Sequence, residues 1–209
     1  MTQQYQPSTA LIVVDLQRDF ADPAGSLYVR GGDELAAPIA EEIAAAQGAR
    51  ALVVFTQDWH PEHTPHFEQD GGIWPVHCVH DTRGAELVPG LLPDGADPTD
   101  HPETLVRKGS GSEDGYSAFS VIDLDTRQTR GTELSVILDE NGIMDVVVVG
   151  LAGDWCVAAT AVDGVRLGYA VTVPLALTRF VELTDGDTDA AIERMRTAGV
   201  ALVGDAVRA

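Results

Sequence analysis

The chain has 209 residues, and its 33 Asp and Glu outnumber 13 Lys and Arg for a net charge of −20 at pH 7. That charge repels phosphate backbones and anionic lipid surfaces, so nucleic acid and membranes are poor partners. A hydrophobic content of 44% supports one full core in a single domain, residues 1–209, and two cysteines are too few for a disulfide framework. No secretion signal and no apolar run of membrane length is visible, so a soluble, cytoplasmic protein is expected.

In chain order, Ala10 to Val14 is a continuous apolar run ending at Asp15, and it reads as a strand buried on both faces. A loop punctuated by Pro23, Gly25, Gly31 and Gly32 leads to Asp33, a good N-cap for a helix through about Gln47. Ala51 to Thr56 is the next strand, followed at once by QDWHPEHTPHF. From Pro61 to Pro102 no periodicity persists; the first half, with His66, Phe67, Trp74 and His77, reads as an ordered functional loop, and Leu87 to Pro102 as plain surface loop. Thr104 to Arg107 is a short strand running into Lys108, and GSGSEDGYSAF after it is flexible loop. A helix from about Thr132 to Asn141 follows. Val146 to Val149, the turn Gly150 to Trp155, a helix from Cys156 towards Gly168 and a strand from Ala170 to Leu175 make a βαβ unit. A helix over about 188–198, stopped by Gly199, precedes an edge strand at 200–203. The alternation predicts an α/β fold: a doubly wound, mostly parallel sheet of about six strands with helices on both faces, Rossmann-like in architecture.

Ligands of such sheets bind at the carboxyl ends of the strands. Asp15, Asp58, Lys108 and Cys156 each fall at or just after such an end, on four different strands. Cys156 opens a helix, where unpaired N–H groups and a partial positive charge are expected to lower a thiol pKa. An inert buried thiol is the alternative. Asp15 at hydrogen-bond range would serve as base for the thiol, and Lys108 would favour the thiolate and an anionic intermediate. The backbone N–H groups of Ala152 and Cys156 are candidates for an oxyanion hole, with each such donor contributing about 2.7–4 kcal/mol. Asp58 and His60, two apart, with His63, His66 and His77 nearby, suit a divalent transition metal; a solvated His-rich loop is the alternative. His63 and His80 have no evident role, and His101 lies in the plain loop. There is no GxSxG elbow and no Asp-x-Asp pattern, since position 17 is Gln17, which disfavours a serine hydrolase and one class of phosphoryl transfer.

These segments, in this order, resemble the nicotinamidase/pyrazinamidase group of the isochorismatase-like cysteine hydrolases. ALIVVDLQRDF resembles the family's first strand with its catalytic aspartate, TQDWHPEHTPHF its metal loop, WPVHCV a segment distinctive of nicotinamidases, VRKGS the strand with the catalytic lysine and VVVVGLAGDWCVAAT the nucleophile turn. The resemblance implies a catalytic set of Asp15, Lys108 and Cys156 and a metal held by Asp58, His60 and His77, with His66 a fourth ligand; zinc, iron and manganese all occur in the family. It implies a cis peptide between Leu151 and Ala152, and a pocket for a flat ring walled by Phe20, Trp74 and Tyr116 with Leu151 and Trp155 beside it. It further implies hydrolysis of nicotinamide, and of pyrazinamide, to the acid and ammonia through a thioester, in NAD salvage. Another hydrolase of the superfamily, an N-carbamoyl amidase or an isochorismatase, or a non-catalytic metal- or ligand-binding protein, is the rival reading.

Overall fold

A computed structural model describes residues 3–92, 96–101, 104–111, 113–123 and 126–207. The first strand, β1 (Thr9–Val14), is buried along its whole length. A single helical turn, α1 (Arg18–Ala21), and the helix α2 (Ala36–Gly48) lead to β2 (Leu52–Asp58). After a long loop come β3 (Leu105–Lys108), β4 (Glu113–Asp114), β5 (Ser120–Asp123), β6 (Thr129–Gly131) and α3 (Leu134–Glu140). The chain closes with β7 (Asp145–Gly150), α4 (Cys156–Arg166), β8 (Ala170–Pro174), α5 (Asp187–Ala198) and β9 (Ala201–Val203).

Six strands form one sheet in the order β3-β2-β1-β7-β8-β9, every pairing parallel. Strand residues alternate between the faces, and the core divides accordingly. On one face Leu11 and Val13 of β1 pack with Leu35, Ile39 and Ile43, at and within α2. On the other, Ala10, Ile12 and Val14 pack with Leu134 and Leu138 of α3, Val157 and Ala161 of α4 and Met195 of α5. This is the doubly wound sheet that the apolar runs predict. Successive strands run outward from β1 through β2 to β3, and the chain then returns to the other side of β1 as β7. The strand order therefore reverses between β1 and β7, and the crevice at their carboxyl ends is the place where such sheets bind ligands. Val14 pairs with Gly150 and Asp58 with Lys108, so the strand ends that carry the candidate residues share one rim.

Three expectations need correction. Asp33 does not cap α2: a 3-10 turn at Gly32–Glu34 precedes the helix, and the Asp33 carboxylate accepts a hydrogen bond from the Tyr28 hydroxyl instead. The segment from Leu87 is not plain surface loop, because Leu87, Leu91 and Leu92 are buried with the α2 layer. The amide of Val88 donates to the Leu16 carbonyl at 2.9 Å, tying this segment to the exit of β1. The stretch after Lys108 holds a small antiparallel sheet, β4-β5-β6, whose strands of two to four mostly polar residues carry no periodic signal. Residues 93–95, 102 and 112, which fall in these two loop readings, lie outside the described residues.

The turn after β7 is built on close backbone approach. Gly150 has φ 109°, and a Cβ there would run into the carbonyl oxygen of Val14. The next peptide, Leu151–Ala152, is cis. A Gly150→Ala substitution is expected to cost on the order of 3 kcal/mol or more of unfolding free energy, from overpacking together with a disfavoured φ. Urea denaturation measures this, and a loss below about 1 kcal/mol would show that the turn relaxes freely.

Candidate active site

Cys156 is the first residue of α4, delivered to the rim by the turn that follows β7. The Ala152 carbonyl accepts the amides of Trp155 at 3.1 Å and Val157 at 3.0 Å, which fixes the turn. The amides of Ala152 and Cys156 have no hydrogen-bond partner among the described residues, so both remain available to a developing oxyanion.

Asp15 leaves β1 with φ 45°, a left-handed conformation that Asp tolerates better than most residues. Thr56 of β2 secures it twice: the Thr56 hydroxyl accepts the Asp15 amide at 3.1 Å and donates to Asp15 Oδ1 at 2.6 Å. The other oxygen, Oδ2, faces Lys108 Nζ at 2.9 Å. Lys108 also pairs with Asp58 Oδ1, and its Nζ lies 3.7 Å from Cys156 Sγ. Carboxylate oxygens of Asp15 and Asp58 and the Cys156 sulfur lie within 4.8 Å of one another. Three chain segments far apart in sequence thus bring a thiol, a carboxylate and an ammonium together, as the strand-end pattern predicts.

All of these groups are buried, and burial sets their titration. It raises Asp15 above the usual carboxylate range; Lys108 opposes the rise and Asp58 adds to it. Burial also pushes up on Asp58, but Lys108, His60 and His77 together hold it well below that range. For Lys108 burial alone would lower the pKa, yet the two carboxylates carry it well above its ordinary value. The Cys156 thiol is pushed well above its ordinary value by burial, against the pull of Lys108 and with Asp15 and Asp58 adding to the rise. This reverses the expectation of a lowered thiol pKa. A helix end and one ammonium do not outweigh a dry site shared with two carboxylates. The resting thiol therefore keeps its proton, and a base must take it as the sulfur attacks.

Beside this group stand three buried histidines whose ring nitrogens lie within 4.8 Å of one another, those of His60, His66 and His77. The His60 and His66 rings stack with centroids 4.9 Å apart, and the His77 ring lies edge-on to His60 at 5.2 Å. In each ring Nδ1 meets an oxygen: Gly109 O at 3.2 Å for His60, Asp114 Oδ1 at 2.8 Å for His66 and Pro75 O at 2.7 Å for His77. That pattern leaves Nε2 free in each ring, and it is how histidine ligands are oriented for a metal. His60 Nε2 is buried with no hydrogen-bond partner among the described residues, and such an atom is costly unless something binds it. Asp58 Oδ2 completes the group, 3.8 Å from His60 Nε2 and 4.0 Å from His77 Nε2. Burial holds the His77 ring down at about 4, so it is neutral and able to ligate. The donor set fits a divalent transition metal. His63 and His80 are outside it, pairing at the surface with Asp70 and Asp81, and His101 is exposed.

Phe20, Trp74, Tyr116 and Trp155 wall one pocket over Cys156, Asp58, His66 and His77. The Trp74 indole donates to the Tyr116 hydroxyl at 3.1 Å, and Trp155 lies edge-on to Trp74 with centroids 4.9 Å apart. Leu151 is not in this lining; it is fully buried in the layer beside α2. Leu27, Val29 and Val181 line it and were not singled out from sequence, being isolated apolar residues in loops. Nor were Thr56, Asp114 and Gln17. The Gln17 amide donates to the Asp58 carbonyl at 2.7 Å and accepts the Asp58 amide at 2.8 Å, holding the end of β2. Cys78 is fully buried, its amide donating to Asp19 Oδ2 at 2.8 Å, and burial pushes its thiol well up.

Known proteins share this frame. The isochorismatase domain family matches residues 9–206. The chain belongs to the isochorismatase family. Among its relatives in that family, the nicotinamidase/pyrazinamidase of Mycobacterium tuberculosis is 40% identical over 197 residues, covering 93% of this chain and 97% of that protein. The pyrazinamidase of Pyrococcus horikoshii in complex with zinc superposes with a TM-score of 0.80 at 36% identity, covering 95% of this chain and 100% of that one. The yeast nicotinamidase bound to the inhibitor nicotinaldehyde superposes with a TM-score of 0.83 at 30% identity, covering 94% and 100%.

Lys108→Met removes the one cation between two buried carboxylates. The variant is expected to lose about 3–5 kcal/mol of stability in urea denaturation. A loss below about 1 kcal/mol would mean that the carboxylates do not depend on the ammonium.

Proposed function

We propose that the protein is a cysteine amidohydrolase that converts nicotinamide, and pyrazinamide, to the corresponding acid and ammonia, and that its site residues are those described above. One observation carries the reading: the Cys156 thiol, with Lys108 behind it, opens into the same aromatic pocket as His66 and His77, and Asp58 touches both groups. The family relatives at 30–40% identity over most of the chain support the same activity.

In this mechanism the substrate ring lies among Phe20, Trp74, Tyr116 and Trp155 with its carboxamide over Cys156. Asp15 takes the thiol proton as the sulfur attacks the carbonyl carbon, so no free thiolate need accumulate in a site that disfavours it. The amides of Ala152 and Cys156 receive the oxyanion, and Lys108 stabilises the negative charge as it moves from sulfur to oxygen. The proton on Asp15 passes to the leaving nitrogen, the C–N bond breaks, and ammonia departs from a thioester on Cys156. Asp15, ionised again, removes a proton from water as the water adds to the thioester; the C–S bond then breaks, Asp15 returns the proton to the sulfur, and the acid leaves with the Cys156 thiol restored. The raised pKa of Asp15 suits a group that must both take and return a proton. Asp58, His60, His66 and His77 would hold a divalent ion, either zinc, iron or manganese. Such an ion supplies a Lewis acid in the pocket for a pyridine nitrogen. The reaction suits a role in NAD salvage.

Ammonia release from nicotinamide tests the reading. Native protein is expected to turn over, Cys156→Ala to fall to background, and metal-stripped protein to lose activity and regain it on adding back a divalent ion. No release by metal-loaded native protein would sink the proposal. Full activity of Cys156→Ala would remove the thioester route. A finer test addresses Thr56. Thr56→Val deletes a hydrogen bond to a carboxylate, a bond typically worth about 1.5–3 kcal/mol, so kcat/KM should drop roughly 10- to 100-fold while Thr56→Ser keeps most of it. Equal activity in the valine variant would show that Asp15 is positioned without Thr56.

A further inference from the structure

The aromatic pocket over Cys156 is enclosed by Phe20, Trp74, Tyr116 and Trp155. A second space lies alongside it, a groove of about 610 Å³ between α4 and α5. The two share two walls, Tyr116 and Trp155. Of these, Tyr116 is tied to the first pocket, since its hydroxyl accepts the Trp74 indole and its ring lies 5.9 Å from His66. Trp155 is held differently. Its indole N–H has no acceptor among the described residues, and its ring contacts are with Trp74 at 4.9 Å and Tyr116 at 4.8 Å. Beyond it the groove is lined by Ala159 and Val162 of α4 and by Leu183, with Arg166, Arg194, Asp154, Asp163 and Asp187 also on its walls. The Trp155 backbone is fixed independently of the side chain, donating to the Ala152 carbonyl at 3.1 Å and accepting the Ala159 amide at 2.9 Å.

We propose that Trp155 is the specificity-determining partition of the active site: its indole separates the single-ring pocket from the groove and thereby excludes fused bicyclic aromatic carboxamides. The substrate class rests on the amidase reading above, whereas the partition itself rests on geometry alone. Removing the indole joins the two spaces. A second ring fused to the pyridine edge then enters between Ala159 and Leu183, both apolar, while the carboxamide keeps its place over Cys156. The turn that carries the nucleophile stays, because its hydrogen bonds are made by backbone.

Two readouts on native protein, Trp155→Ala and Trp155→Phe separate the partition from the chemistry. The first is the rate of Cys156 alkylation by iodoacetamide relative to a naphthyl-bearing iodoacetamide, followed by peptide mass spectrometry. A ratio of reagents cancels any change in thiol ionisation and needs no amidase activity. The second is kcat/KM for nicotinamide relative to quinoline-3-carboxamide. In native protein both ratios favour the small partner; in Trp155→Ala both are expected to fall by about tenfold or more, within the range a reshaped apolar pocket can supply, and in Trp155→Phe to stay near native. Because Trp155→Phe keeps an aromatic wall, a shift confined to the alanine variant separates size from general damage. An alkylation ratio that is the same in native and Trp155→Ala protein would overturn the partition, as would native protein hydrolysing quinoline-3-carboxamide as well as nicotinamide. A shifted alkylation ratio in a protein that never hydrolyses nicotinamide would instead refute the amidase reading and leave the partition standing.

Discussion

The site depends on a single ammonium group set between two buried carboxylates. Lys108 ends β3, Asp58 ends β2 and Asp15 follows β1, so the contact draws three neighbouring strand ends to one point. Removing charge from water costs several kcal/mol per ion, and only close pairing offsets it. Two carboxylates facing one cation cannot be equally satisfied. Asp58 takes the larger share and stays ionised with one oxygen to spare for the histidines, while Asp15 is left with a raised pKa next to the thiol. One lysine thus assigns two like residues different work, one towards a metal and one towards a proton.

The order of strands explains why the parts come from both halves of the chain. The strands β1, β2 and β3 lie on one side of the crevice, and their ends and the loop after β2 supply Asp15, the histidines and Lys108. The β7–α4 turn lies across it and supplies the thiol with two amides free to receive an oxyanion. The parallel register between Val14 and Gly150 sets the two halves level, so the fold itself performs the alignment that a site built on loops would have to achieve by other means.

How much of this could be read from residues alone follows from how each part signals itself. β1, β2 and β7 are buried on both faces, so their apolar runs stand out, and the residue that ends each run falls on the rim. Asp15 and Asp58 were legible for that reason, Lys108 because it closes the short run from Thr104, Cys156 because a helical pattern starts at it after the turn from β7, and His60, His66 and His77 because three histidines in one irregular loop are unusual. Thr56 and Gln17 were not legible: each looks like an ordinary strand or loop residue until the fold sets it against a partner about forty positions away. Asp114 was hidden in a two-residue strand, and Leu151 misled because its neighbours line the pocket while its own side chain turns into the core. The direction of the Cys156 pKa was misjudged for a deeper reason. The local feature, a helix start, speaks for a thiolate; the neighbours that reverse it arrive only through tertiary structure.

The central claim is that the group gathered around Lys108 works by passing the substrate's acyl group through Cys156. Acid-quenching the protein during turnover of nicotinamide, followed by peptide mass spectrometry, tests this most directly. The account predicts a nicotinoyl thioester on the peptide carrying Cys156, none on the peptide carrying Cys78, and loss of the adduct in Asp15→Asn. An adduct at any other residue, or steady turnover by a Cys156→Ala protein, would contradict it.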